Sequence, residues 1–289
     1  MTEPVIVGVD SSGRSLRALV WASHEAALRG APLRVVHVLP TWEHDIPFHP
    51  PGMWRTVRDR GADIVAEAAA MAKENYPDLD VSPELIIGRP PKVFVDASAH
   101  ASAIVLGARG EGGLGNVLLG SVSLQVAGHA AAPVVVVGYV NSGHDRVLVG
   151  TDGSETSSAA LAYAFEEASL RRAALHVLQT WGMPMPTEPS AEEPDPEQMA
   201  ARYRRELDEQ LAGLRARHPD VKVQEELLRS WPSLELIRAS ERSDLVVVGS
   251  RGKGGFHGLA LGSVSHALLQ YAMCPVAVVS PRSGAVGGA

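Results

Sequence analysis

The chain has a single cysteine, Cys274, in 289 residues, so no internal disulfide can form. No Cys/His cluster has the spacing of a zinc site, and a reducing compartment is the expected setting. No apolar stretch approaches the roughly 18 residues that a membrane helix needs. The N-terminus runs from MTEP straight into VIVGVD, without the basic and apolar regions of a secretion signal. A cytoplasmic protein with no membrane partner is the expectation. Positive charge is also scarce, since 26 Lys and Arg against 33 Asp and Glu leave a net charge of -7. Nucleic acids and anionic membranes are held largely by clustered Lys and Arg. Here the basic residues alternate with acids, as in RYRRELDE, Arg202 to Glu209. That run reads as the solvated face of an amphipathic helix, and no nucleic-acid partner is expected.

What the chain does contain, it contains twice. At an offset of 142 residues, VIVGVD (Val5 to Asp10) falls on VLVGTD (Val147 to Asp152), and IVLGARG (Ile104 to Gly110) falls on VVVGSRG (Val246 to Gly252). Gly120-Ser-Val-Ser123 falls likewise on Gly262-Ser-Val-Ser265, with no gap between the blocks. Duplication of one domain is the simplest explanation, and a length of 289 suits two domains of about 145 residues, each able to bury roughly two thirds of its unfolded surface. We expect domains over 1–140 and 141–282, joined near GYVNSGHDR (Gly138 to Arg146), and a disordered tail over 283–289.

Each copy alternates short Val- and Ile-rich runs with helix-length periodic stretches. In the first copy the runs are VIVGV, LRVVHV, ELIIG, AIVLG and PVVVVG. Runs this short and apolar suit strands buried on both faces, and the alternation implies βαβ units. Helices are expected near 12–29, 55–72, 91–100 and 121–130, with 198–217 as the long helix of the second copy. The fold class is therefore α/β: two doubly wound (Rossmann-like) five-stranded parallel-sheet domains related by internal duplication. The stretches 40–52 and 182–197, rich in Pro and polar residues, read as mobile loops.

The hexapeptide GEGGLG, Gly110 to Gly115, is a literal G-x-G-x-x-G. A dinucleotide fold needs that motif after its first strand, with an acid about 20 residues on, and neither condition holds. A phosphate-binding Gly-Lys-Ser/Thr loop fails too, because Lys253 is followed by glycine and the first copy has Glu111. Both copies do keep Gly-x2-Gly-x9-Gly-Ser: Gly107, Gly110, Gly120, Ser121 and Gly249, Gly252, Gly262, Ser263. Gly110 lets backbone amides approach an anion, and the loop returns to a helix start that Ser121 can cap, where free amides and the helix dipole form an anion site. A plain turn with a capping serine is the alternative, and the repetition of the full spacing argues against it.

On these motifs both halves resemble universal stress protein domains, and the chain resembles the tandem form. The first-strand Asp and the final Pro-Val-x-Val-Val also agree, and the likeness covers nearly the whole chain. The resemblance implies strand order 3-2-1-4-5, which places Asp10 beside Gly107, and Asp152 beside Gly249, at the switch point where such sheets bind ligands. It implies ATP as the ligand, with Mg²⁺ a further candidate. Val9, Asp10 and Val38 would line the adenosine, and Gly107, Arg109, Gly110, Gly120, Ser121 and Val122 the phosphates. The second set is Thr151, Asp152, Thr180, Gly249, Arg251, Gly252, Gly262, Ser263 and Val264, with Thr180 in place of Val38 weakening the adenine contact. Asp10 and Asp152 can accept from ligand hydroxyls or sit near the metal, or else cap the following helix. Arg109 and Arg251 either reach a phosphate or are merely solvated.

His37 and His129 have no imidazole opposite them in the other copy, and with His266 they read as core or surface residues. Cys274, opposite Ala132, reads as a small buried residue, and Trp42 and Trp181 as packing under a loop. No nucleophile, base and orienting group recur in both copies, so no turnover is inferred. A regulatory ATP-binding protein is the leading expectation. A slow nucleotide hydrolase or transferase and a ligand-free interaction module compete with it. The resemblance further implies pairing of the two halves through their last strands as a pseudo-dimer, with a homodimer through the outer faces.

Overall fold

A computed structural model describes residues 2–40, 53–109, 119–140, 142–181, 195–253 and 260–281. The expected mobile loops fall almost wholly outside these residues, and the tail does so entirely. The chain divides into two compact units, within Met1–Val140 and Asn141–Pro281.

The first unit runs β1 (Val5–Gly8), α1 (Gly13–Arg29), β2 (Leu33–Pro40), α2 (Met53–Asn75), β3 (Val81–Gly88), α3 (Pro90–Ala97), β4 (Ala103–Gly107), α4 (Ser121–His129) and β5 (Val134–Val137). The second repeats it as β6 (Arg146–Thr151), α5 (Glu155–Arg171), β7 (Ala174–Thr180), α6 (Pro196–Arg217), β8 (Val223–Leu228), α7 (Pro232–Ser240), β9 (Leu245–Gly249), α8 (Ser263–Tyr271) and β10 (Val276–Val279). In the first unit the strands lie in the order β3-β2-β1-β4-β5, and in the second β8-β7-β6-β9-β10. All of these pairings are parallel, as helical crossovers require. The register carries the same offset as the sequence. Val5 pairs with Leu33 and Ala103, and Val147 pairs with Leu175 and Leu245.

The apolar runs fill the core from both faces, and β1, β5 and β10 are buried at every position. Where a helix packs closely on a strand, the strand drops to glycine. A Cβ on Gly8 would lie 2.6 Å from Leu106 Cδ2 and 2.7 Å from Phe94 Cζ. The matching Gly150 makes the same space for Leu236. Gly8→Val should therefore overpack this layer and destabilise the unit by about 1–3 kcal/mol, read as a lower urea midpoint; an unchanged midpoint would show that the layer can yield.

Helix starts follow local chemistry. Ser12 caps α1 and Ser154 caps α5, each accepting from the amide three residues on. Asp10 is therefore not the cap; its Oδ1 accepts from the Ser12 amide at 2.9 Å and from the Ser12 hydroxyl at 2.5 Å, fixing the capping serine. The turn of α1 ends on Gly30 at φ 58°, while α5 ends on Arg172 at φ 53°. The second unit thus tolerates a left-handed arginine where the first uses glycine.

Candidate nucleotide-binding site

In the first unit a cavity of ≈ 1300 Å³ opens over the C-terminal ends of β1, β2 and β4. Its wall includes Val9, Asp10, Val38, Gly107, Arg109, Gly120, Ser121 and Val122. These are all but one of the residues expected there; Gly110 lies outside the described residues. The strand order brings them together, because β1 pairs with both β2 and β4 and its end becomes the crevice.

Ser121 does not cap α4. Gly120 occupies the capping position in extended conformation, and Ser121 is the first helical residue; Gly262 and Ser263 do the same at α8. The expected serine cap is corrected for a geometric reason. The two ends of the glycine loop are tied together by backbone and by a different serine. Gly120 N donates to Ala108 O at 2.7 Å, and Ser123 Oγ to Gly107 O at 2.7 Å. In the second unit Gly262 N donates to Ser250 O and Ser265 Oγ to Gly249 O. The serine that recurs two residues later closes the loop. Ser121 itself is left on the cavity wall, at a helix start whose first-turn amides have no intrahelical partner.

Gly107 must be glycine for contact rather than conformation. An added Cβ would stand 3.1 Å from the backbone carbonyl of Arg14, and one on Gly249 would stand 3.0 Å from that of Thr156. The strand end and the first helix thus approach backbone to backbone, which narrows the crevice.

Residues that the repeat did not flag also line the cavity. Arg60 from α2 and Arg89 and Lys92 at the start of α3 join Arg109 on the wall, against Asp10 as the acid there. A site with this balance attracts a polyanion. Arg89 and Lys92 escaped notice because their counterparts are Trp231 and Leu234. His37 also lies on the wall, its Nδ1 donating to Val9 O at 2.7 Å, rather than at an unrelated core or surface position. His129 is a surface residue, hydrogen-bonded through Nδ1 to Gln125 O. The thiol of Cys274 is buried, and burial pushes its pKa up to about 12, as suits an inert core residue.

In the second unit the loop after β9 meets Asp152. Its Oδ1 accepts from Ser154 N at 3.0 Å and its Oδ2 from Lys253 N at 2.7 Å. Burial alone would raise the Asp152 pKa, but bonds from the Ser154 hydroxyl, the Lys253 amide and other donors outweigh it and hold the carboxyl below its ordinary value. Gly252 lies against the same carboxylate, and Gly262 sits over Arg251 and Gly252. Thr151 ends β6, Thr180 ends β7, and Ser263 and Val264 open α8. The Trp181 and Tyr203 ring centres lie 6.1 Å apart and tilted, with the Arg229 guanidinium 5.4 Å from the Trp181 ring centre. Trp42 lies outside the described residues. Among the described residues no group of three or more His, Cys, Asp and Glu is placed to hold a metal ion, and no helix is long and apolar enough to cross a membrane.

Comparison with known proteins gives the same architecture. The profile of the universal stress protein family matches residues 1–138 and again 143–280. A universal stress protein of Mycolicibacterium smegmatis is 39% identical over 292 residues, covering 96% of this chain and 97% of that one. Another, from Mycobacterium tuberculosis, is 39% identical over 291 residues, covering 95% of this chain and 96% of its own. Among solved structures, a universal stress protein from Archaeoglobus fulgidus superposes with TM-score 0.72 at 22% identity, over 96% of both chains. The chain belongs to the universal stress protein family and carries two of its domains in tandem.

Proposed function

We propose that this protein binds ATP and serves a regulatory role in the stress response, presenting different partner-facing surfaces when occupied and empty. The observation that supports this best is the cavity of the first unit. It combines glycine-tied loop ends, the amides opening α4 and four basic side chains at the end of a doubly wound sheet. In this reading Val9 and Val38 flank the adenosine, while Gly107, Gly120, Ser121 and Val122 meet the phosphates with Arg109. Asp10 accepts from the ribose hydroxyls. Any Mg²⁺ would arrive on the phosphates, with Asp10 as its nearest carboxylate. The regulatory part of the proposal assigns no turnover, and the single buried cysteine suits a cytoplasmic setting.

Isothermal titration of the purified chain with ATP and with adenosine tests the reading. Saturable ATP binding with Kd below about 1 mM is expected, with adenosine weaker by about tenfold or more for want of the phosphates. No saturable binding, or equal affinity for the two, would reject it.

A further inference from the structure

The two units share one fold and one glycine spacing but differ at the positions that would touch a ligand. Val9 becomes Thr151, whose hydroxyl lies 3.2 Å from Ser157 Oγ and 3.3 Å from Gln210 Oε1. Gln210 stands at the position of Ala68, so a small residue on α2 is replaced on α6 by an amide that reaches the end of β6. Over Gly153, at φ 75°, the Gln210 amide nitrogen and the Lys253 ammonium converge, lying 3.1 Å and 2.9 Å from where a Cβ would stand. Finally, Trp231 and Leu234, both exposed, replace the cations Arg89 and Lys92.

We infer that the two units are not equivalent nucleotide sites: the first takes ATP tightly, while in the second Gln210 makes contacts at the end of β6 that a ligand would otherwise make. This rests on the nucleotide reading above and adds which unit carries it. A ligand reaching the end of β6 must displace the Gln210 amide from Thr151 and from over Gly153, where the first unit has only the short side chain of Ala68, and a lost hydrogen bond of this kind separates affinities by about tenfold.

The test is ATP stoichiometry on the full chain, by titration calorimetry and native mass spectrometry, on three variants beside the wild type. One tight ATP per chain is expected, with any second site weaker by about tenfold or more. Arg89→Glu with Lys92→Glu should weaken the tight site, and Trp231→Glu with Leu234→Glu should leave it in place. Gln210→Ala should tighten the weak site. Two equally tight sites overturn the inference. So does a tight site that responds to the Trp231/Leu234 pair rather than the Arg89/Lys92 pair, or a weak site that Gln210→Ala does not move. No ATP bound at either unit instead rejects the nucleotide reading itself.

Discussion

Glu25→Ala should destabilise the first unit by about 3–5 kcal/mol. Glu25 is fully buried on α1 and its Oε1 lies 2.5 Å from Arg29 Nε, one turn on, with the arginine side chain only 14% exposed. Truncating the acid leaves the guanidinium without its carboxylate in a place that water barely reaches, which is the costly half of a buried pair. The duplicated partner behaves alike. Glu167 is buried and its Oε2 lies 3.1 Å from Arg171 Nη2, an ion contact outside good hydrogen-bond alignment. The check is urea unfolding followed by hydrogen exchange, which separates the units where one midpoint would mix them. The first unit should lose protection early in Glu25→Ala and the second in Glu167→Ala. Replacing both partners, as Glu25→Leu with Arg29→Met, should recover most of the loss, because two apolar groups leave no orphaned charge. A loss under about 1 kcal/mol for Glu25→Ala would mean that Arg29 reaches water once freed.

Strands were legible because burial on both faces writes them as continuous Val and Ile runs, and the boundaries of β4 coincide with AIVLG. β3 is longer than ELIIG because its first residues, Val81 to Pro83, place one buried position before two exposed ones and so carry no apolar run. The glycine spacing was legible because close backbone approach admits no other residue, as the contacts of Gly107 and Gly249 show. The role of Ser121 was misread, since a serine before a helix signals a cap and only the backbone angles reveal that Gly120 holds that position. The Glu25–Arg29 pair repeats at the same offset as the motifs, so a signal for it existed in the chain. It passes for a surface i,i+4 pair unless the burial of α1 is known. Arg89, Lys92 and Gln210 were hidden for the opposite reason. Self-comparison retains what two copies share and discards what distinguishes them, and the differences are where two sites on one fold can diverge.

Charge reversal at the mouth of the cavity should separate the nucleotide's phosphates from its base. Arg89→Glu with Lys92→Glu replaces two cations by two anions beside the α4 amides. At about 1–1.5 kcal/mol for each reversal near a partly screened polyphosphate, ATP affinity should fall roughly 30- to 150-fold. Adenosine affinity should barely change. The fold should tolerate both substitutions. Arg89 is exposed and makes no side-chain cap bond at the start of α3, and acids are favoured in a first helical turn. Lys92→Glu gives up an exposed pair with Asp96 and sets a like charge one turn from it, together worth about 1 kcal/mol. Raising salt should shrink the ATP difference, as expected for screened charges and not for a lost packing contact. Equal losses for ATP and adenosine, or a salt-independent loss, would move Arg89 and Lys92 off the phosphate path and leave the loop amides as the principal anion contact.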